Sequence, residues 1–204
     1  MPTHVAVIHY SATGNVFHLA SAIADGASDE GAEVRLRKVA ETAPEETIAR
    51  NPRWVAHLAA VAEVPDATLD DLDWADGFAF GSPTRFGLPA AQLKQFLDQT
   101  GALWAQGRLQ DKVGTAFTTA STTHGGLETT IVAINNVLYH WGAIVLPLGY
   151  TDPAIKATGN PYGATWVSRK GSEPDAEALA AARHQGRRLA RVATALRTIR
   201  DDHT

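Results

Sequence analysis

The stretch VAVIHYSATGNV, residues 5–16, contains the features that decide the fold. Residues 5–10 form a short apolar run rich in β-branched side chains, which is typical of a strand buried on both faces. A polar turn follows, and apolar residues then recur at helical spacing at Val16, Leu19, Ala20, Ile23 and Ala24. Gly26 is the expected end of this helix. The stretch therefore predicts the first strand, turn and helix of an α/β sheet.

The rest of the chain continues the alternation of strands and helices. We predict strands at 33–38, 77–81, 113–119 and 143–148, the last resuming at 164–167 after a segment rich in glycine and proline. The first of these is charged and should lie near an edge, and the second should be central. Helices are predicted after Pro89, over about 127–140 and over about 175–199, and residues 40–75 should form a long, partly helical connection. We therefore expect one domain, residues 1–204, with a doubly wound five-stranded parallel sheet and helices on both faces.

Two groups of charged residues have structural interpretations. Before the central strand lie Asp70, Asp71, Asp73 and Asp76, which we interpret as a solvated turn. The last helix carries Arg183, Arg187, Arg188, Arg191, Arg197 and Arg200 opposite an apolar stripe of Leu179, Ala182, Leu189, Ala193 and Leu196. Positive charge is favourable near a helix C-terminus, so a solvated face is expected. A face that binds nucleic acid is the alternative.

Composition limits the possible functions. The chain of 204 residues is 45% hydrophobic with a net charge of −4, which gives no electrostatic reason to expect a nucleic-acid or acidic-membrane partner. The absence of cysteine excludes disulfides, cysteine-bound zinc, iron–sulfur clusters and a cysteinyl link to a flavin, and we expect no metal. Because no basic or long apolar segment precedes the first strand, a cytoplasmic location is the expectation.

The loop at residues 11–15 is the first of three candidate binding loops. A doubly wound sheet binds its ligand beyond the carboxyl ends of its strands, and this loop joins the first strand to a helix. Two hydroxyls, a glycine and the free N–H groups of a helix N-terminus suit a phosphate. The loop contains no lysine or arginine, so it favours a terminal phosphate monoester held by neutral donors. Helix capping by serine and threonine is the alternative.

The other two loops follow the strands at 77–81 and 113–119. Residues 81–89, GSPTRFGLP, would expose backbone amides, one guanidinium and one aromatic ring, although a structural turn is also possible. Residues 119–128, TASTTHGGLE, are small and polar enough for the backbone to approach a flat ligand, with a flexible polar loop as the alternative. Together the three loops predict FMN, with its phosphate at the first loop and its isoalloxazine between the other two.

These residues give the chain a resemblance to the WrbA-type NAD(P)H:quinone oxidoreductases, a tetrameric branch of the flavodoxin-like superfamily. The matching segments are residues 10–15, 81–87, 96–101, 103–104, 124–126, 128–131, 146–150 and 161–165. The resemblance extends from residue 5 to about residue 190, and the segment 82–100 with Trp104 is its most specific part. It implies a flavodoxin-like fold, non-covalent FMN, NADH or NADPH as electron donor, a quinone substrate, ping-pong kinetics and a homotetramer.

The resemblance also implies roles for particular residues. FMN would be bound by Ser11, Ala12, Thr13, Gly14, Asn15, Val16, Pro83, Thr84, Arg85, Phe86, Thr119, Ala120, Ser121, Thr122, His124, Gly125, Gly126 and His140. Nicotinamide and quinone would be bound by Trp104, His140, Phe86 and Thr13. No catalytic residue is implied beyond the flavin itself. Taken without the resemblance, Trp104 would be a core residue and His140 an ordinary structural histidine.

The chain departs from this family at two places. Better-known members have an aromatic residue where this chain has Thr13, and the loop at 119–126 is longer and less rich in glycine than in some members. Both departures bear on nicotinamide docking. Two other functions are compatible with this kind of sheet. One is a flavodoxin-type electron carrier, and the other is a receiver-type signalling domain, which would need acidic residues where this chain has Ser11 and Ser82.

Overall fold

The computed structural model describes the backbone of residues 1–201 and the side chains of residues 1–197. In chain order the elements are β1 (His4–His9), α1 (Asn15–Asp29), β2 (Glu33–Lys38), α2 (Glu45–Ala49), α3 (Pro52–Ala60), α4 (Leu69–Trp74), β3 (Gly77–Arg85), β4 (Leu88–Pro89), α5 (Ala91–Asp98), α6 (Gly101–Ala105), β5 (Val113–Ala120), α7 (Leu127–Trp141), β6 (Ile144–Val145), α8 (Pro153–Thr158), β7 (Thr165–Val167), a 3-10 turn (Arg169–Gly171) and α9 (Ala176–Asp201). The predicted alternation of strands and helices is confirmed. None of the helices within this described part is both long and apolar enough to cross a membrane.

The sheet has a parallel path in the order β2-β1-β3-β5-β6, with β3 at its centre and β2 at an edge, as predicted. The expected number of five strands is wrong, because the described sheet has seven. The two-residue β4 turns back antiparallel on the end of β3. The segment at 164–167 is a separate strand, β7, because the chain leaves the sheet after β6, forms α8 and returns further along β5.

One glutamine spans the gap between β6 and β7. These strands pair with opposite ends of β5, at Val113–Gly114 and at Thr118–Ala120. Between them, the buried Gln185 of α9 donates to the carbonyl of Ala116 at 2.9 Å and to the hydroxyl of Thr115 at 2.7 Å. Its side-chain oxygen accepts from the N–H of Ala164 at 2.7 Å. The amide of Gln185 thus makes hydrogen bonds in the place where a continuous strand would make them.

Both faces of the sheet are covered, which explains the unbroken apolar run in β1. Val5 and Val7 point into the layer beneath α1 and α9, whereas Ala6 and Ile8 point into the layer beneath α5 and α7. All four side chains are fully buried. A strand that buries both faces has no need for polar residues in alternate positions.

Gly26 does not end the first helix, contrary to the sequence-based expectation. Helix α1 continues to Asp29, and Gly31, with φ of +78°, follows its end. A Cβ on Gly26 would lie 1.9 Å from the backbone oxygen of Arg183, and one on Gly186 would lie 1.9 Å from the backbone oxygen of Ile23. The two glycines therefore allow α1 and α9 to pack backbone against backbone, and this contact is the reason for glycine at position 26.

The prediction of a solvated arginine face on α9 holds for Arg183 and Arg191, which are exposed and paired with acids at the end of α1. It does not hold for Arg187, Arg188 and Arg197, which are half-buried. Arg183 Nε lies 2.7 Å from Asp29, and Arg191 lies 2.6 Å from Glu30. Exposed pairs of this kind contribute little to stability, but they neutralise part of the positive charge. Arg200 lies outside the described side chains.

The interpretation of the four aspartates as a solvated turn is wrong for Asp71 and Asp76. Asp71 is 2% exposed, completes a capping box with Thr68 at the start of α4, and lies 3.1 Å from Arg37 and 3.2 Å from Arg35. Asp76 is also buried and accepts a hydrogen bond from the N–H of His4 at 2.9 Å. The ionic partners on β2 are 34 or more residues away in sequence, so local composition could not reveal them.

We expect Gly26→Ala to destabilise the fold by about 1–3 kcal/mol, the usual cost of overpacking a well-packed interface. The added methyl group cannot fit unless α1 and α9 move apart. The free energy of unfolding in urea measures the effect. Gly101→Ala is the matched control, because a Cβ there meets no atom within 4 Å. Equal stabilities of the two variants would contradict the close packing.

Candidate functional site

The three predicted loops meet in one pocket at the carboxyl ends of β1, β3 and β5. Its lining includes the predicted residues Ser11, Ala12, Thr13, Asn15, Val16, Pro83, Thr84, Arg85, Thr119, Ala120 and Ser121. It also includes three residues that the sequence did not indicate, which are Asn51, Trp54 and Ser168. The parallel pairing of neighbouring strands has brought together loops that are far apart in sequence.

The loop at 11–15 has the geometry of an anion cradle. The N–H of Gly14 donates to the hydroxyl of Ser11 at 3.1 Å, and Gly14 has a φ of +102°, which favours glycine. Because Gly14 is the N-cap of α1, no side chain caps this helix, and the first N–H groups of the helix have no acceptor within it. The alternative that Ser11 and Thr13 serve as N-caps is therefore not supported.

Asn15 adds an unsatisfied polar group to this end of the pocket. It is 5% exposed, and its side-chain oxygen has no hydrogen-bond partner. Free backbone donors at the start of a 15-residue helix fit a phosphate group, whereas the unpaired oxygen of Asn15 is an acceptor and would need a donor as its partner. The residues present thus fit the phosphate end of FMN.

The hydroxyl of Thr84 joins the loop at 81–89 to the loop at 119–128 through hydrogen bonds. This hydroxyl donates to the carbonyl of Gly125 at 3.2 Å, accepts from the N–H of Gly87 at 3.2 Å, and lies 2.8 Å from the hydroxyl of Thr130. A Cβ on Gly126, where φ is +95°, would lie 2.7 Å from Gly87 Cα. The two loops therefore touch through their backbones and share a fixed border at the pocket.

Phe86 stands out from this border in an unusual conformation. Its φ is +56° and its side chain is fully exposed. A bulky residue in the left-handed region costs of order 1 kcal/mol or more and persists where the surroundings impose it. The neighbouring Arg85 is exposed and donates to the carbonyl of Thr84 at 3.0 Å. The loop thus presents a ring and a guanidinium next to the pocket.

The carboxylate of Glu41 holds Trp54, one of the pocket residues that the sequence did not indicate, at the rim of the pocket. Glu41 accepts from Trp54 Nε1 at 3.0 Å, from the hydroxyl of Tyr10 at 2.9 Å and from Gln92 Nε2 at 2.8 Å. Burial raises the pKa of Glu41, but the hydrogen bonds from Gln92, from Tyr10 and from the backbone N–H groups of residues 42 and 43 outweigh it, so the pKa lies below its usual value. Asn51 caps α3 and is followed by Pro52, which is a helix-start signal that the sequence shows. The sequence does not indicate that Asn51 lines a pocket.

Two histidines lie behind the loop at 11–15. His9 is fully buried, neither ring nitrogen makes a hydrogen bond of ordinary geometry, and burial together with the nearby His57 lowers its pKa to about 3. His57 on α3 is 8% exposed, and burial together with His18 lowers its pKa as well. A small cavity is lined by both histidines, by Ser11 and by Lys38 at the end of β2.

The remaining predicted residues lie outside this pocket. Thr122 and His124 are exposed in the third loop, and Gly125 and Gly126 contribute to its contact with the second. Trp104 and His140 lie together in a separate depression, where Trp104 Nε1 donates to the carbonyl of His140 at 2.8 Å. That depression shares no lining residue with the loop pocket, so one chain does not bring them to it. The described residues contain no group of three or more acidic, histidine or cysteine side chains that could hold a metal ion.

The fold and this pocket define a flavodoxin-like α/β protein. Among solved structures, a WrbA-like flavodoxin from Agrobacterium tumefaciens covers 94% of this chain and 98% of its own, with a TM-score of 0.68 at 24% identity. A flavodoxin from the domain Archaea covers 94% of this chain and 99% of its own, with a TM-score of 0.63 at 20% identity. At these identities the likeness establishes the fold alone.

Sequence comparison then identifies the family. Residues 3–152 match the model of the NADPH-dependent FMN reductase family. A protein of Deinococcus radiodurans named NAD(P)H dehydrogenase (quinone) is 43% identical over 188 residues, which is 92% of this chain and 94% of the relative. A Paracoccus denitrificans protein with the same name is 42% identical over 203 residues, 95% of each chain. The chain therefore belongs to the NADPH-dependent FMN reductase family, and over nearly its whole length it is similar to proteins named NAD(P)H dehydrogenase (quinone), in agreement with the quinone oxidoreductase resemblance.

The buried His9 predicts a specific acid sensitivity. Its pKa is about 3 in the folded protein against 6.5 for an ordinary histidine, so between these values the unfolded chain binds the extra proton. Stability should therefore fall as the pH drops from 6.5 towards 3, by up to about 1.4 kcal/mol per unit from this group. His9→Phe should remove that part of the slope in urea unfolding measured from pH 7 to pH 4. The exposed His124→Gln is the control, and an unchanged slope in His9→Phe would refute the prediction.

Proposed function

We propose that this protein binds FMN without a covalent bond and transfers two electrons from NADH or NADPH to quinones. The observation that carries the proposal is the pocket where the cradle at 11–15 meets the two loops joined by Thr84. The relatives named NAD(P)H dehydrogenase (quinone), which match nearly the whole chain, support the same activity. The absence of cysteine requires that the flavin be held without a cysteinyl link.

Bound FMN would supply the chemistry, accepting a hydride from nicotinamide and passing two electrons to the quinone. The protein would bind and orient its reactants. The backbone N–H groups at the start of α1 would hold the phosphate, and the loops joined by Thr84 would border the isoalloxazine. Arg85 lines the pocket and would place positive charge at its edge, where it stabilises negative charge on the reduced ring.

The assignment of individual residues is part of the proposal. We propose for FMN the residues Ser11, Ala12, Thr13, Gly14, Asn15, Val16, Pro83, Thr84, Arg85, Phe86, Thr119, Ala120, Ser121, Thr122, His124, Gly125, Gly126 and His140, and we add Asn51, Trp54 and Ser168 from the pocket lining. Nicotinamide and quinone would take turns on one face of the ring, bordered by Phe86, Trp104, His140 and Thr13. Use of one face by both substrates implies ping-pong kinetics.

We further propose that the active form is a homotetramer in the cytoplasm. Trp104 is 54% exposed and His140 is also exposed, in a depression separate from the loop pocket. They could border bound FMN only if a neighbouring chain presented them to this pocket. Light scattering combined with activity at each protein concentration tests the assembly, and a fully active monomer would refute it.

The purified protein should be yellow, contain FMN rather than FAD, and oxidise NADH or NADPH with benzoquinone as acceptor. The cradle suits a terminal phosphate, so FMN should bind more tightly than FAD or riboflavin. Double-reciprocal plots for the two substrates should be parallel. An FMN-containing protein that passes electrons to protein partners but does not turn over with quinones would instead be a flavodoxin-type carrier.

Thr13→Tyr should strengthen nicotinamide binding. An aromatic ring at this position can stack on the nicotinamide dinucleotide, which contributes about 0.5–1.5 kcal/mol beyond the buried area. The gain corresponds to a decrease in KM for NADH of roughly two- to tenfold, at similar kcat, because the ring would bind substrate and transition state alike. Thr13→Val is the control for loss of the hydroxyl. Weaker FMN binding by both variants, with no change in KM for NADH when FMN is saturating, would show that the hydroxyl serves the phosphate.

A further inference from the structure

His57 lies directly behind the candidate phosphate cradle. It follows Trp54 by three residues on α3, so the two side chains share one face of that helix. A Cβ on Gly14 would lie 3.6 Å from His57 Nδ1, and the ring also makes a polar contact with the backbone of Ser11. The imidazole is thus separated from the anion site by a single layer of backbone.

His9 and an aromatic ring complete the surroundings of His57. Phe17, on the first turn of α1, lies with its ring centroid 5.8 Å from that of His57 and 5.5 Å from that of His9. The cavity that both histidines line has a volume of about 30 Å³, enough to hold a water molecule. This packing buries both imidazoles at the base of the loop and shields them from bulk solvent.

Burial, and then the neighbouring His18, disfavour a proton on His57 in the ligand-free protein. His18 on α1 and His9 on β1 face it from two elements, Lys38 ends β2, and Glu41 lies beyond Lys38 on the wall of the same cavity. Burial and then His18 lower the pKa of His57, and the contact with Ser11 only partly offsets them. The loop itself contains no cationic residue.

An anion in the cradle reverses this balance. At an effective dielectric constant of about 20, a unit charge within about 8 Å changes a protonation equilibrium by a factor of at least about ten. A phosphate monoester carries nearly two negative charges at neutral pH. Its attraction for a proton on His57 would act through the thin layer formed by Ser11 and Gly14.

We infer that His57 takes up a proton from solvent when the phosphate of FMN occupies the cradle, and so supplies the positive charge that the loop itself lacks. This inference rests on the proposed binding of FMN and extends it to a residue behind the pocket. His57 is a positioning residue here, because it acts on the ligand through the loop and does not touch the flavin ring.

Calorimetric titration of the apoprotein with FMN at pH 7, in buffers of different ionisation enthalpy, measures the number of protons taken up. We expect wild type to take up a substantial fraction of a proton, and His57→Gln to take up close to none. Riboflavin, which lacks the phosphate, should cause no uptake in either protein. His184→Gln is the control, since it removes an imidazole of α9 that lines neither the loop pocket nor the histidine cavity, so its uptake should resemble that of wild type.

Affinity gives a second readout. The ratio of FMN affinity to riboflavin affinity should be about tenfold lower in His57→Gln than in wild type at pH 6.5, and the difference should disappear by pH 9. The phosphate group of FMN also titrates in this pH range, but it does so with both proteins, so its effect cancels when the two affinity ratios are compared. Riboflavin affinity should be unchanged, which shows that the pocket is intact, and His57→Asn serves as the second variant if the glutamine variant does not fold.

Equal proton uptake in wild type and His57→Gln, or an affinity ratio that falls equally at every pH, would overturn the inference while leaving FMN binding in place. Failure of wild type to bind FMN would overturn the proposed function as well. The two failures are therefore distinguishable in the same titration.

Discussion

Parallel pairing of β1, β3 and β5 is the constraint on which the site depends. His9 pairs with Gly81, and Pro83 pairs with Thr119, so the three strands end at the same edge in a fixed register. A shift of one residue would exchange the buried faces, and both faces of these strands are filled with apolar side chains. The packing of the core on two sides therefore fixes where the three loops meet.

The sequence predicted the elements whose signals are local. A continuous apolar run marks β1, and polar residues directly after it mark the cradle, because backbone burial and helix starts act over a few residues. The failures depended on distant partners. In the sequence, Gly26 resembles a helix end, because its contact with α9, where Gly186 lies, is not visible there. Asp71 resembles a solvated residue, because its partners Arg35 and Arg37 lie on a distant strand, β2. The five-stranded expectation missed the separation of β6 from β7, which α8 and its flanking turns produce.

The pocket residues also divide into those with a local sequence signal and those without one. The lining from the three loops was predictable, because the carboxyl ends of parallel strands share an edge. The contribution of Asn51 and Trp54 to the pocket was not predictable, because apolar residues have no regular spacing in the segment between β2 and β3. That segment reaches the pocket only through α3. Trp54 is held there by Glu41, which also binds Tyr10 and Gln92. Residues that do not line the pocket thus determine the shape of its rim.

The gap between β6 and β7 along β5 bears on the problem of open edges that every sheet has. An open sheet edge offers unpaired N–H and C=O groups to strands of other molecules, which is a route to aggregation. Here neither short strand pairs with Thr115 or Ala116, and Gln185 of α9 instead donates to the hydroxyl of Thr115 and to the carbonyl of Ala116. A helix side chain cannot extend the ladder further, so it ends pairing at this point. The insertion therefore interrupts the sheet without opening an edge to other molecules, since Thr115 and Ala116 are each 1% exposed beneath α9.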